Sequence, residues 1–131
     1  LDVDRMTGAA RCLVGEHDFS AFRAAACQAK SPIRDLRELR VQRLGDYVVF
    51  DFCANGFLHH MVRNLVGALV YVGKDRYPPD WLEEVLASRQ RSLAAPTFAP
   101  DGLYLCGVEY GPQWSLPDGG RIIALPPIPF V

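Results

Sequence analysis

The sequence lacks the long apolar segments and leader patterns that mark membrane and secreted proteins. None of its apolar runs reaches the roughly 18 uninterrupted residues that a membrane-spanning helix needs. The first residues show no basic-then-apolar signal peptide, and Leu1 is not an initiator methionine, so we expect a domain excised from a longer protein. We therefore predict a soluble, cytoplasmic domain with no membrane partner.

Cysteine is scarce and scattered along the chain. No two cysteines show C-x-x-C spacing, so the sequence indicates neither a disulfide framework nor a zinc site, and we predict no metal ligand. Buried free thiols are the simpler interpretation, because cysteine often packs as a small apolar residue. The four are Cys12, Cys27, Cys53 and Cys106.

The net charge of -1 gives the chain no overall attraction to nucleic acid. Its basic residues are unevenly placed, because between residues 23 and 43 six of them accompany only two acidic residues. Most are arginines, whose planar fork matches phosphate oxygens and stacks on bases. A solvated strand surface is the alternative, and charge alone favours it. The six are Arg23, Lys30, Arg34, Arg37, Arg40 and Arg43.

Half of the residues are hydrophobic, which suffices for one globular domain with its own core. Asp2 or Asp4 can cap a first helix that runs to about Val14. Period-two patterns then predict a hairpin with strands at about 35–43 and at 47–54, joined by a short turn that contains a glycine.

The C-terminal part carries weaker signals. Asp80 and Glu83 resemble a capping box at the start of a helix over 81–88. The segment 89–100 is expected to be irregular, with Arg89 and Arg91 exposed. The remaining expected elements are a strand at 102–110 and an edge strand at 122–125.

The segment Asn55–Gly73 carries apolar residues at three- and four-residue steps, which predicts a buried helix. It also carries Arg63, whose guanidinium is costly to bury without a partner or a cleft. His59 lies one turn earlier on the same face, and His60 and Asn64 lie on the next row. A helix N-terminus beside two histidines is a candidate anion site; core or capping histidines are the alternative.

The segment 15–32 mixes ionisable and aromatic side chains without a clear period, so we expect an ordered loop. His17 and Asp18 lie too close in sequence to form an obvious catalytic pair, and a turn or loop cap is the preferred interpretation.

Three long stretches carry a resemblance to a known family. GEHDFSAFRAAACQAKSP, NGFLHHMVRNLVGALVYVG and DGLYLCGVEY stand in an order and spacing that resembles the C-terminal half of the tRNA pseudouridine synthase A (TruA) family. The resemblance covers residues 1–110 and leaves 111–131 as a C-terminal extension. It implies an α+β fold with a mainly antiparallel sheet and helices packed on one face.

The resemblance implies an enzyme that isomerises uridine to pseudouridine in the tRNA anticodon stem-loop, at conventional positions 38, 39 and 40, without metal or organic cofactor. Family members are homodimers of two-domain subunits, with the catalytic cleft between the domains. The nucleophilic aspartate, in a Gly-Arg-Thr-Asp motif, and the tyrosine that stacks on the target uracil belong to the N-terminal half. That half is missing here, so this chain is predicted to be inactive alone.

Two residues match the family's active site by position. Arg63 matches the basic residue that pairs with the catalytic aspartate, and Leu103 matches an apolar residue that packs in the active site. An aspartate supplied across a domain cleft would pair the charge of Arg63, so we expect this arginine to be solvent-accessible here or held by another anion. Ordinary core is the alternative for Leu103. The residues predicted to contact tRNA are His17, Phe19, Arg23, Lys30, His59, His60 and Asn64.

Two other classes of function stay open. The chain could be an RNA-binding or dimerisation module without chemistry, in which case RNA binding would depend on salt. A standalone hydrolase or metal enzyme would use His17, Asp18, His59 and His60, but their spacings match no ligand set or catalytic triad.

Overall fold

The structure, a computed structural model, describes residues 1–24 and 29–104. The chain divides into two units, Leu1–Phe98 and Ala99–Val131, and each is described by itself. The boundary predicted at residue 110 stays a prediction. The described helices and strands all lie in the first unit: α1 (Val3–Ala10), β1 (Gly15–Asp18), β2 (Ile33–Leu44), β3 (Tyr47–Ala54), α2 (Met61–Gly73) and α3 (Asp80–Ser88).

The first helix begins where its capping signal predicts. The Asp2 carboxylate accepts a hydrogen bond from the backbone N–H of Arg5 at 3.1 Å, which satisfies one of the free donors of the first turn. The α-helix ends at Ala10, earlier than predicted, and the chain continues to Leu13 as a single 3₁₀ turn. The backbone N–H of Asp2 also donates to the carbonyl of Gly73 at 2.9 Å, so the start of α1 is tied to the end of α2.

The described part of the first unit contains a three-stranded antiparallel sheet in the order β1-β2-β3. The predicted hairpin is confirmed, with β2 longer than expected at both ends. The expected loop after residue 15 is wrong in part, because Gly15–Asp18 forms a strand that pairs with the start of β2. Four residues are too few to show a period, so only pairing with β2 reveals this strand.

A β-bulge explains the spacing of the apolar residues in β2. Leu36 and Leu39 are three residues apart, and a regular strand would place them on opposite faces. The register shifts between Leu36, which lies opposite Ala54, and Glu38, which lies opposite Cys53. The extra residue returns both leucines to the core side, where Leu36 is buried and Leu39 packs against the core.

The core of the first unit is formed by the helices, the 3₁₀ turn Ser20–Phe22 and the inner face of the hairpin. This arrangement confirms the predicted α+β class. None of the helices described in 1–24 and 29–104 has the length and apolar character to cross a membrane. The largest fully buried hydrophobic side chains are Phe19, Phe22, Met6, Leu13, Leu36, Met61, Leu65, Leu69, Leu82 and Val72.

The C-terminal elements differ from expectation. The capping box predicted for α3 is wrong, because the helix begins at Asp80, its N-cap position is Pro79, and no side chain caps it. Asp80 and Glu83 instead lie in the first turn, where negative charge is favourable near the helix N-terminus. The strands predicted at 102–110 and 122–125 lie mainly or wholly outside the described residues.

The cap of α1 gives a test of the fold. We expect Asp2→Ala to lower the free energy of unfolding by about 1 kcal/mol, because the N–H of Arg5 loses its acceptor. Asp2→Asn is the matched control, since an asparagine oxygen caps equally well. Urea unfolding of the three proteins measures the difference, and equal losses in both variants would contradict a capping role.

Candidate functional site

The N-terminal end of α2 is preceded by a non-helical segment, although the apolar pattern predicted a helix from Asn55. Asn55 joins the sheet instead, because its side-chain oxygen accepts from the N–H of Asp35 at 2.9 Å and its own N–H donates to the Asp35 carbonyl at 3.1 Å. The helix begins at Met61 because His60 has a left-handed backbone, with φ of 60°. A non-glycine residue rarely adopts this conformation.

The two histidines before α2 stack on each other. The ring centroids of His59 and His60 are 3.9 Å apart, with an angle of 25° between the rings. His59 is exposed and His60 is partly buried. Desolvation, together with the positive charges of His59 and Arg63, lowers the pKa of His60 below its ordinary value. At neutral pH, His60 is therefore a neutral ring that can stack or form hydrogen bonds, not a fixed cation.

Arg63 lies in the first turn of α2 and is half-buried. Its Nε donates to the carbonyl of Phe98 at 2.8 Å, and the N–H of Phe98 donates to the carbonyl of Arg63 at 3.2 Å. Within the described residues, no carboxylate comes within ion-pair distance of its guanidinium, and its two terminal nitrogens make no hydrogen bond. The side chain is thus held through Nε while its terminal N–H groups stay available for an anion.

Asn64, the next residue on α2, is fully buried and is the hub of a polar network. Its side-chain N–H donates to the carbonyl of Phe22 at 2.8 Å. Its side-chain oxygen accepts from the hydroxyl of Thr97 at 2.7 Å and from a terminal nitrogen of Arg91 at 3.0 Å. One amide therefore joins α2, the turn after β1 and the segment that follows α3.

The segment 91–98 is irregular, as predicted, apart from one 3₁₀ turn at Arg91–Leu93. The expectation that Arg91 is exposed is wrong. Its guanidinium is partly buried and donates to the carbonyl of Ala95 at 2.8 Å and to the hydroxyl of Thr97 at 3.1 Å, besides the amide of Asn64. Three neutral oxygen acceptors stabilise this charge, and no carboxylate of residues 1–24 or 29–104 forms an ion pair with it.

Gly67 allows this segment to lie directly against α2. A Cβ added at Gly67 would overlap the carbonyl oxygen of Pro96 and would contact the backbone nitrogen of Phe98 at 3.6 Å. Gly67 lies one turn after Arg63 on the same face of the helix. The absence of a side chain there is what lets Phe98 reach Arg63.

His17 and Asp18 are the last two residues of β1, so the turn interpretation is wrong for their backbone, and their side chains make local contacts. The His17 ring lies within hydrogen-bond distance of the carbonyl of Val14, with 3.0 Å between Nε2 and the oxygen, and packs edge-on against Phe19. An oxygen of Asp18 accepts from the N–H of Ser20 at 2.9 Å. Phe19 itself is fully buried.

The Asp18 carboxylate also faces positive charge. Its nearest oxygen lies 3.6 Å from Nε of Arg89. Partial burial on its own would raise the pKa of Asp18, but hydrogen bonds from Ser20 and the charges of Arg89 and Arg23 outweigh it and hold this pKa below its ordinary value. The ionised form is therefore the one that the folded structure favours.

The predicted RNA contacts fall into three groups by exposure: fully buried, partly buried and exposed. Phe19 and Asn64 are fully buried, so neither side chain presents a surface to RNA, and their polar or aromatic groups serve the core. His17 is partly buried. Arg23 and His60 are partly buried in the same way, and Lys30 and His59 are exposed.

The basic residues of β2 are mostly exposed. Arg37, Arg40 and Arg43 lie at the surface of the strand. Arg37 approaches Asp35 at 3.7 Å, and Arg43 donates to the carbonyl of Leu1 at 2.7 Å. These contacts fit a solvated strand surface, which was the alternative given for this stretch.

Leu103 belongs to the second unit. Its side chain is 50% exposed, and its backbone N–H donates to the carbonyl of Pro100 at 3.0 Å. Its assignment to the active site therefore stays a prediction that depends on the family resemblance.

The described residues contain no disulfide and no group of side chains placed to bind a metal. Cys12 and Cys53 are free thiols, and both are partly rather than fully buried. Burial, with a smaller effect of the Glu83 carboxylate, raises the pKa of Cys12 to about 11, so the thiol stays protonated at neutral pH. No cluster of three or more His, Cys, Asp or Glu side chains among the described residues is placed to hold a metal.

Sequence reasoning missed the partners that hold Arg63 and Asn64, namely Gly67, Arg91, Thr97 and Phe98. One signal was available, because Asn64 is an uncharged polar residue in a helix that is otherwise apolar apart from Arg63 and the Tyr71 hydroxyl. A buried amide requires acceptors and donors from elsewhere in the chain. Nothing in the irregular segment 91–98 indicates that it supplies them.

Comparison with known proteins places the chain in a family. The family model described as tRNA pseudouridine synthase matches residues 9–111, and the chain belongs to this family. A tRNA pseudouridine synthase A from Aromatoleum aromaticum is 73% identical over 131 residues, which is 100% of this chain and 50% of that protein. The proteins of the same name from Nitrosomonas eutropha and Cupriavidus necator are 59% and 60% identical over 117 residues, which is 89% of this chain.

The chain spans about half the length of the curated relatives that it matches, or somewhat less. The resemblance to this family, inferred from three stretches, is therefore confirmed. The Aromatoleum aromaticum relative aligns with all 131 residues, so its similarity extends through the tail beyond residue 110.

The contact at Gly67 leads to a test with a matched pair of glycines. Gly67→Ala should lower the free energy of unfolding by about 1–3 kcal/mol, because the new methyl group displaces the Pro96 carbonyl. Gly8→Ala, on α1 where no atom lies within 4 Å of the new Cβ, should raise it by about 0.5–1 kcal/mol. Chemical denaturation compares them, and two equal changes would contradict a close approach at Gly67.

The environment of Asp18 predicts a dependence on pH. Because its folded pKa lies below the unfolded value, its negative charge stabilises the fold above the ordinary value of 3.8, and this contribution is lost as pH falls through the folded pKa. The difference in unfolding free energy between wild type and Asp18→Asn should thus be largest near neutral pH and shrink in acid. In an Arg89→Gln background the difference should be smaller at neutral pH. A difference independent of pH would contradict the assignment.

Proposed function

We propose that this chain forms one side of the catalytic cleft of an enzyme that converts uridine to pseudouridine in the tRNA anticodon stem-loop, at positions 38–40. Membership of the tRNA pseudouridine synthase family supports the reaction class. The observation that carries the proposal for this site is Arg63, a half-buried guanidinium with no carboxylate near it among the described residues. A charge so placed is stabilised when an anion arrives from outside.

The anion proposed for Arg63 is the nucleophilic aspartate of the missing N-terminal domain. A charge-assisted hydrogen bond from a guanidinium keeps such a carboxylate ionised and fixes its direction. The aspartate attacks as a nucleophile or acts as a base, the bond from uracil N1 to the ribose breaks, and the uracil rotates and bonds to the ribose through C5. C5 then loses its proton and N1 gains one, and any bond formed by the aspartate is broken again, so the product is an isomer of the substrate. Arg63 itself transfers no proton in this scheme. Leu103 is proposed as the apolar active-site residue by its match to the family alone.

The target uridine has to leave the base stack before the aspartate can reach it, which costs a few kcal/mol. We propose that His59 and His60 help to offset this cost, because their stacked rings precede the helix turn that carries Arg63. A neutral His60 can contact a base or a phosphate without adding charge. Arg23 and Lys30 are proposed to contact the RNA backbone, and His17 lies at the edge of this set.

Phe19 and Asn64 are not among the proposed RNA contacts, because both are fully buried. They support the site from within. The proposed assembly is a cytoplasmic homodimer in which each subunit contains this chain and an N-terminal domain, and no cofactor is required. The chain alone lacks a nucleophile and is proposed to be inactive.

A second candidate function is an RNA-binding or dimerisation module without chemistry. The arginines exposed on β2 favour it, because exposed basic side chains bind phosphate regardless of any cleft. The two functions differ in what Arg63 does, since a binding module needs its charge only for affinity.

The decisive experiment joins this chain to the half of the Aromatoleum aromaticum relative that it does not match, which we take to be the N-terminal half. The fusion should form pseudouridine in a tRNA anticodon arm, and the chain alone should form none. Arg63→Ala in the fusion should lower turnover by about 100-fold or more, because the aspartate loses its preorganised partner.

Arg11→Ala is the control for this experiment, because Arg11 is exposed in the turn after α1 and lies outside the proposed site. It should leave turnover unchanged. Pseudouridine formed by the chain alone would disprove the proposed division of the active site. If Arg63→Ala weakened RNA binding and its salt dependence but not turnover at saturating RNA, the binding module would be the better account.

A further inference from the structure

We propose that Thr97 and Arg91 are positioning residues for Arg63, acting through the peptide of Phe98. This inference rests on the proposed function of Arg63, which neither residue touches directly in the structure. It is based on hydrogen bonds between two consecutive residues of α2 and two consecutive residues of the segment 91–98. Asn64 binds Thr97, and the preceding Arg63 binds the following Phe98.

The hydroxyl of Thr97 has a fixed orientation in this network. The side-chain nitrogen of Asn64 is occupied by the carbonyl of Phe22, so the other atom of the amide is an acceptor. The guanidinium of Arg91 can only donate. The Thr97 hydroxyl must therefore donate its proton to Asn64 at 2.7 Å and accept from Arg91 at 3.1 Å. Each donor in this network therefore has an acceptor, and each acceptor has a donor.

This order fixes the peptide that holds Arg63. Thr97 is covalently joined to Phe98, whose N–H and carbonyl both bind Arg63. Arg91 braces the same segment two residues earlier, at the carbonyl of Ala95. The hydrogen bond from Nε to Phe98 restricts the orientation of the whole Arg63 guanidinium, because its nitrogen atoms are coplanar. A shift of the segment therefore turns the terminal N–H groups that are proposed to meet the aspartate.

A purely structural role would give a different pattern of effects. If the network only stabilised the fold, removing the Thr97 hydroxyl would lower the melting temperature and leave turnover of the folded protein unchanged. A positioning role predicts a fall in kcat at an unchanged KM for tRNA, because orientation matters in the transition state and not in binding.

The test uses the full-length fusion with three changes, Thr97→Val, Thr97→Ser and Arg91→Lys. Thr97→Val keeps the shape and removes the hydroxyl, and should lower kcat about tenfold, since small misplacements of catalytic groups have effects of this order. Thr97→Ser restores the hydroxyl and should restore kcat. Arg91→Lys keeps the charge but loses the planar fork, and should also lower kcat. It carries the test if Thr97→Val fails to fold. Thr7→Val, at an exposed threonine of α1, is the matched control.

The second readout is the Nε–H resonance of Arg63 in nitrogen-15 NMR spectra of the same proteins. We expect it to move in Thr97→Val and Arg91→Lys and to stay in place in Thr97→Ser and Thr7→Val. An unmoved resonance in folded Thr97→Val and Arg91→Lys would overturn the inference, whatever the activity. A moved resonance with unchanged kcat would also overturn it as a statement about turnover. The proposed function is judged separately, by Arg63→Ala.

Discussion

The buried amide of Asn64 is the interaction on which the rest of the site depends. It is fully enclosed, and its donor and acceptor are both used, by Phe22 on one side and by Thr97 and Arg91 on the other. A buried amide without hydrogen-bond partners would cost about 1–3 kcal/mol of stability. Moving any partner away from Asn64 is therefore unfavourable. Two parts of the chain that are far apart in sequence, the turn that contains Phe22 and the segment 91–98, are thereby fixed to one turn of α2.

Arg63 and Asn64 are neighbours on one helix, but Asn64 points into the core and Arg63 points toward the surface. Successive helical residues point about 100° apart, so an inward amide at 64 leaves 63 turned toward the surface. The amide is worth most where water is excluded, and the guanidinium is tolerable only where an anion or water can reach it. The half-burial of Arg63 satisfies that second condition, and its bond to Phe98 restricts its motion without neutralising its charge.

Much of this fold could be predicted from local patterns, and the site only in part. The alternation of apolar residues in Tyr47–Ala54 predicts β3 because one face of the strand meets the core, and Asp2 predicts the start of α1. The four-residue β1 carries no such pattern. The sequence predicts an RNA contact at Asn64, whereas in the structure this residue is buried and its partners lie 27 to 42 residues away. No periodicity reveals contacts of that range.

The left-handed backbone of His60 sets where α2 begins, and thereby whether Arg63 or Asn64 faces the core. A helix that ran on from Asn55 would not begin at Met61. The φ of 60° at His60 is not helical, so the helix cannot include His60 and begins at the next residue. Such a conformation costs roughly 1–2 kcal/mol for a residue with a Cβ. It persists because the turn around it is fixed, with Met61 bonded to the Leu58 carbonyl and Asn64 bonded through its backbone to the His60 carbonyl. Strain of this kind concentrates where a protein must hold a group in one orientation. Here it sets the phase of α2, and the phase places the amide inside and the guanidinium at the surface.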